Sequence, residues 1–190
     1  MIILASASPR RKELLKKIIP SFEVIPSNVD ETIPENIPAM DVAEFLSTQK
    51  AMDVYSNHPQ DTVIASDTVI VMNNEIFGKP HTREEAKRML LKFSNNTHYV
   101  VTGVCVLSNQ RTISFSSINE VEFYNLSEEE IDNYLNNDEY KDKAGSYAIQ
   151  GKANIFVKQI KGDYNSIVGL PVAQLYRVLK TFFNFSESKE

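Results

Sequence analysis

Between Thr62 and Met72 the chain reads Thr-Val-Ile-Ala-Ser-Asp-Thr-Val-Ile-Val-Met, and any fold that buries this stretch must find a partner for the carboxylate at its middle. Thr62 to Ala65 and Thr68 to Met72 are β-branched runs with the character of strands, separated by Ser66 and Asp67. Asn73 and Asn74 close them with a turn, and the chain returns through Glu75 to Phe77 as a hairpin. A buried aspartate is costly unless it is paired, hydrogen-bonded or on a metal. Asp67 is therefore either a turn residue between two short strands or a functional carboxylate held inside a sheet.

The remaining pattern is mixed. Ile2 to Ala5 reads as a short buried strand, followed by a Ser-Ala-Ser turn and a helix from Pro9 to about Ile18, with Ser8 as N-cap and Pro9 in the first turn. Pro20 to Pro38 is extended loop carrying Asp30 and Glu31, and a helix runs from about Asp41 to Tyr55. Thr82 with Glu85 forms a capping box, so Arg83 to about Phe93 is a helix whose inner face is Ala86, Met89, Leu90 and Phe93. Strands are expected at Tyr99 to Leu107 and Thr112 to Phe123. A helix opened by Ser127 and Glu130 then runs to about Leu135. Short strands at Tyr147 to Ile149 and Phe156 to Ile160 precede a closing helix from about Val172 to Phe183. This order predicts an α/β fold with a mixed sheet and flanking helices. With no repeat and no linker, residues 1–185 form a single domain and 186–190 a frayed tail.

Composition closes off several functions. Across 190 residues, 25 acidic against 20 basic side chains leave a charge of −5, which argues against a surface built for nucleic acid or anionic lipid. No stretch approaches the roughly 18 apolar residues of a membrane span. Arg10, Arg11 and Lys12 follow the apolar run Ile2 to Leu4, the wrong order for a secretory signal. The single cysteine, Cys105, cannot form an internal disulfide and reads as a small buried hydrophobe, which suits a reducing, cytoplasmic setting. His58, His81 and His98 are scattered and none is paired with cysteine at zinc-ligand spacing.

Several residues break local rules. Arg10 and Arg11 lie in the first turn of a helix, where the macrodipole disfavours cations. An anion on the free amides of that turn would make the helix end, the Ser6 and Ser8 hydroxyls and both guanidiniums cooperate, so the turn reads as a phosphate cradle. No glycine follows the first strand, so it is neither a Walker loop nor a dinucleotide fingerprint. Lys50 shares the helix face of Ala43, Leu46 and Val54 and either snorkels past the core edge or reaches into a pocket. Lys79 is presented by the Gly78-Lys-Pro80 turn, and Gln150 stands before Gly151 where an amide suits a base edge; read alone, each is as well a surface residue. Glu31 with Asp67 could complete an all-oxygen site for Mg2+.

Taken together, Ala5-Ser-Ala-Ser-Pro-Arg-Arg-Lys-Glu-Leu-Leu15, Asp30-Glu31, Ala65-Ser-Asp-Thr-Val69, Gly78-Lys-Pro80, Gly145-Ser-Tyr-Ala-Ile-Gln-Gly151 and Ile167-Val-Gly-Leu-Pro171 resemble, in order and over nearly the whole chain, the Maf family of nucleotide pyrophosphatases. The resemblance implies an inosine-triphosphatase-like (Maf/Ham) fold with two lobes around a central cleft. It also implies hydrolysis of a nucleoside triphosphate to the monophosphate and pyrophosphate with a divalent cation, Mg2+ or Mn2+. Position by position, Asp67 matches the family's catalytic base, and Ser8, Arg10, Arg11, Glu31, Lys50 and Lys79 match its phosphate and metal pocket. Arg11, Thr68 and Gln150 match the positions that separate a branch acting on dTTP and UTP from one acting on 7-methyl-GTP, so the implied substrates are dTTP, UTP or modified pyrimidine nucleotides. The family suggests a homodimer. Two readings of other classes stand beside this one. A catalytically silent nucleotide-binding regulator of septum formation would use the cradle but not need Asp67 or Glu31. A nucleic-acid-binding module is disfavoured by the charge, the absence of tryptophan and the lack of a basic stripe with interleaved aromatics.

Overall fold

In the computed structural model, which describes residues 1–183 and residue 185, one mixed sheet runs through the molecule. The expected frayed tail at 186–190 lies outside the described residues. Strands β1 (Ile2–Leu4), β2 (Glu23–Val24), β3 (Thr62–Met72), β4 (Glu75–Phe77), β5 (Thr97–Leu107), β6 (Thr112–Phe123) and β7 (Val157–Lys161) are joined through helices α1 (Pro9–Lys16), α2 (Val42–Asn57), α3 (Arg83–Phe93), α4 (Glu128–Leu135), α5 (Tyr164–Val168) and α6 (Val172–Phe182). The spatial order is β2-β1-β3-β5-β6-β7, with β4 paired to β3. β1 is parallel to β2 and β3, and every other pairing is antiparallel. Among the described residues no helix is long and apolar enough to cross a membrane.

Local chemistry explains most boundaries. Ser8, Thr82 and Ser127 cap α1, α3 and α4 through their side-chain oxygens, and Ser127 with Glu130 makes the full reciprocal capping box. Asn73 and Asn74 turn β3 into β4 at φ 52° and 62°, the left-handed pair a tight hairpin needs and asparagine tolerates. Two expectations are corrected. Ser66 and Asp67 do not interrupt the strand: β3 is continuous, with Ser66 opposite Val104 and Asp67 opposite Gly103, because β5 offers an unbroken backbone ladder along it. Tyr147 to Ile149 is not a strand. Gly145 and Ser146 both take left-handed backbone, and the chain then folds into a turn closed by the Gly151 amide on the Ala148 carbonyl. Sequence patterning also passes over the two-residue β2 and the short α5.

The faces of the sheet are unlike. On one, Ile3, Ala5, Val63, Ala65, Val69, Val71, Val101 and Cys105 pack under α2. On the other, two separate apolar clusters form: Leu4, Ile64, Val104 and Val106 with α1 and α6, and Ile70, Met72, Val100 and Phe123 with α3 and α4. Between them the register sets Thr68 opposite Thr102 and Thr102 opposite Ser117, so a row of hydroxyls crosses three strands as a polar seam.

Within the α3–α4 cluster, His98 is fully buried, stacked on Phe93 at 4.4 Å, and its Nε2 lies 2.6 Å from the Tyr147 hydroxyl. Burial lowers its pKa to about 3, against 6.5 for a free histidine. The unfolded chain therefore binds the extra proton first as pH falls below 6.5, and His98 withdraws stability between that value and about 3, at roughly 1.4 kcal/mol per pH unit. Urea denaturation should show wild-type stability falling more steeply from about pH 6 to about pH 4 than that of His98→Phe, by on the order of 1 kcal/mol per unit. Parallel slopes would contradict this role.

Candidate active site

Asp67 belongs to the α2 side of β3, and its carboxylate reaches that helix directly. Lys50 Nζ lies 2.5 Å from Asp67 Oδ1 and 2.9 Å from Glu31 Oε1, so one ammonium joins a strand carboxylate to a loop carboxylate. The Lys50 and Asp67 side chains are only 13% and 12% exposed, whereas Glu31 is 58% exposed, so the pair is anchored inside and open on the loop side. Lys50 gets there because Ala43, Leu46 and Val54, on its own helix face, are buried against the sheet. Gly103, opposite Asp67, is the reason the helix can come so near. A Cβ there would overlap the Ala43 carbonyl group and the Glu44 amide.

Arg11 is built from the other face. It leaves the first turn of α1 and bends back over the sheet, where Nε donates to the Gly169 carbonyl at 3.0 Å, Nη2 to Thr68 Oγ1 at 3.1 Å and Nη1 to Ser6 Oγ at 3.4 Å. All three acceptors are neutral oxygens. Burial lowers the Arg11 pKa, and the Asp67 charge works against that shift. The cradle is thus differently divided from the expected one: Arg11 points into the seam instead of standing in the turn beside Arg10. Ser8 Oγ accepts from the Arg11 amide as N-cap, and Ser6 Oγ accepts from the Ser8 amide, so neither bond uses a hydroxyl proton.

The structure thus forms two groups, Asp67 with Lys50 and Glu31, and Arg11 with Thr68 and its cap Ser8, near enough for the Asp67 and Glu31 charges to act on Arg11. Arg10 is half-buried and close enough for its charge to act on Arg11 and on Asp142, whose carboxyl is held low chiefly by a hydrogen bond from Lys143. Lys79 and Gln150 stand in exposed turns and make no hydrogen bond to this group among the described residues. Their turns are nonetheless fixed. The Gly78 carbonyl accepts from the Gly145 amide at 2.9 Å, and the Glu139 carboxylate accepts from the Lys152 amide in the space that a side chain at Gly151 would fill. Gly103, Ser66, Thr102 and Gly169 were not legible as site residues. Ser66 Oγ, for one, donates to the same Gly169 carbonyl that receives Arg11.

Two carboxylates from separate elements converging on one cationic centre also suit a divalent ion that completes its shell from substrate phosphates and water. Among the described residues no group of three or more His, Cys, Asp or Glu side chains could hold a metal by itself, so an all-protein metal cage is not what these donors form.

Comparison with known proteins supplies the context. A family model described as Maf-like protein matches residues 1–182. Proteins named dTTP/UTP pyrophosphatase from Bacillus mycoides and Bacillus cytotoxicus are each 49% identical to this chain, over 181 and 180 residues, covering 95% of it and 95% and 94% of themselves. In fold, the chain is similar to the Staphylococcus aureus Ham1 protein (TM-score 0.56, 17% identity, 94% and 97% of the two chains) and to a HAM1 protein from Coxiella burnetii (TM-score 0.57, 14% identity, 94% and 98%).

Replacing Gly103 with alanine forces α2 off β5, an overpacking that costs about 1–3 kcal/mol and shifts Lys50 relative to Asp67. Chemical denaturation checks this. Unchanged stability would mean that the helix is not seated against Gly103.

Proposed function

This chain belongs to the Maf-like family, and from that membership and the geometry of the Asp67 cluster we propose that it hydrolyses dTTP and UTP to the monophosphate and pyrophosphate. The observation that carries the reading is a largely buried Asp67, bonded to Lys50, whose charge acts on Arg11, a residue that reaches the neighbouring Thr68 from a helix N-terminus also bearing Ser8 and Arg10. A catalytically silent nucleotide binder has use for the helix end and none for a carboxylate placed in the central strand.

In this reading Asp67 is the catalytic base that takes the proton of the attacking water. Ser8, the Arg10 amide and side chain in the first turn of α1, Lys50 and Lys79 bind the triphosphate and spread the charge that develops on departing pyrophosphate. Glu31 and Asp67 would hold Mg2+ or Mn2+, which when bound neutralises phosphate oxygens as a Lewis acid. Arg11, Thr68 and Gln150 set substrate specificity. Thymine and uracil share an O4 acceptor beside an N3–H donor, and cytosine reverses both, so polar contacts at that edge separate them. The free thiol of Cys105 suits a cytoplasmic setting, and the family resemblance supports a homodimer.

Asp67→Asn keeps the shape of the side chain but cannot take a proton. Pyrophosphate release from dTTP and UTP should fall by about a hundredfold or more with folding intact, since positioned bases contribute about 10²–10⁴-fold. Turnover within a few-fold of wild type would remove Asp67 from the reaction.

A further inference from the structure

The polar seam has a direction. The Ser166 carbonyl can only accept, so Thr102, whose Oγ1 lies 2.8 Å from it, spends its one hydroxyl proton there. Thr68 Oγ1 lies 2.9 Å from Thr102 Oγ1, and with the Thr102 proton committed, Thr68 must be the donor in that bond. Arg11 Nη2 can only donate, so Thr68 accepts from it. The chain of protons therefore runs from Arg11 to Thr68 to Thr102 to Ser166, and each link is forced by the two ends. Thr68, half-buried, is left with no proton to offer and one lone pair still free.

The far end is rigidly held. Thr102 and Ser166 are fully buried and Asn119 is 1% exposed. Asn119 Nδ2 donates to Ser166 Oγ at 3.0 Å and to the Val100 carbonyl at 3.2 Å, while its Oδ1 accepts from the Asp163 amide at 2.7 Å. α5 is thereby pinned with the Ser166 carbonyl facing Thr102, and the alternative orientation of the hydroxyl chain has no acceptor to end on.

We propose that Thr102, which is fully buried, is a specificity-positioning residue. By taking the Thr68 proton it makes Thr68 an acceptor only, so that Thr68 meets the N3–H of uracil or thymine and rejects cytosine, whose N3 carries no proton. This rests on the dTTP/UTP reading above. It differs from an ordinary structural role in what it predicts: loss of the Thr102 oxygen frees the Thr68 proton, which can then be offered to cytosine.

The test is the ratio of kcat/KM for UTP over CTP in wild type, Thr102→Val and Thr102→Ser. The valine variant should lower the ratio at least about fivefold, and the serine variant, which keeps the oxygen, should hold it within about twofold of wild type. A ratio unchanged in Thr102→Val, with both substrates slowed alike, overturns the proposal and leaves the assignment of UTP as substrate standing. A wild-type protein that cleaves UTP and CTP equally overturns the selectivity for uracil and thymine and this proposal with it. Should Thr102→Val not fold, Thr68→Val removes the acceptor itself. The same fall in the ratio is then expected, and an unchanged ratio overturns the proposal.

Discussion

A carboxylate in the middle of a buried strand of 11 residues sets the terms for its surroundings. Asp67 has β1, β4 and β5 bonded along its strand and a helix packed over it, so water cannot solvate it fully, and a compensating cation must come from the protein. Lys50 supplies that cation only because α2 lies close to the sheet, and α2 lies close only because residue 103 has no side chain. One ion pair thus dictates a helix position, a glycine and the aim of Glu31. Replacing the pair with apolar residues of like volume is the usual more stable solution for such a site, which is why its presence points to chemistry and not to folding.

The opposite face answers a different demand. Its apolar contacts divide into an α1–α6 cluster and an α3–α4 cluster, and the seam between them is filled with hydroxyls and carbonyls whose partners are all internal. A satisfied polar network of this kind adds rigidity and holds Arg11 in one pose. The guanidinium contacts neutral oxygens only and so keeps its charge for a ligand, whereas the Lys50 ammonium is shared between two carboxylates. The proposed substrate site therefore combines a cation already neutralised by protein with cations that are not, which suits a polyanion arriving beside a carboxylate that must stay basic.

What was legible in the sequence depended on whether the signal was local. Capping residues such as Ser8, Thr82 and Ser127 announce themselves within four positions, and the helices they open follow. Asp67 stood out by contrast with its apolar neighbours, and Lys50 by helix periodicity. Gly103 and Thr102 carry no such mark, because one matters for what packs on it from about 60 residues away and the other for the carbonyl it meets in α5. Tyr147 to Ile149 misleads for the reverse reason. Its residue types suit a strand, but the left-handed Gly145 and Ser146 turn the chain away from any ladder, and Tyr147 is instead anchored on His98. The exposed position of Lys79 is set by a turn whose tie, Gly145, lies far along the chain, and that of Gln150 by a turn held on the Glu139 side chain, which no local motif announces.

In the proposed reaction these groups cut dTTP or UTP between its α- and β-phosphorus atoms. Phosphorus NMR of UTP incubated with the wild-type protein and Mg2+ reads this out, because the bond that breaks decides which phosphorus species form. Inorganic pyrophosphate and UMP are expected as the only products. Inorganic phosphate with UDP, or UTP left intact, would contradict it.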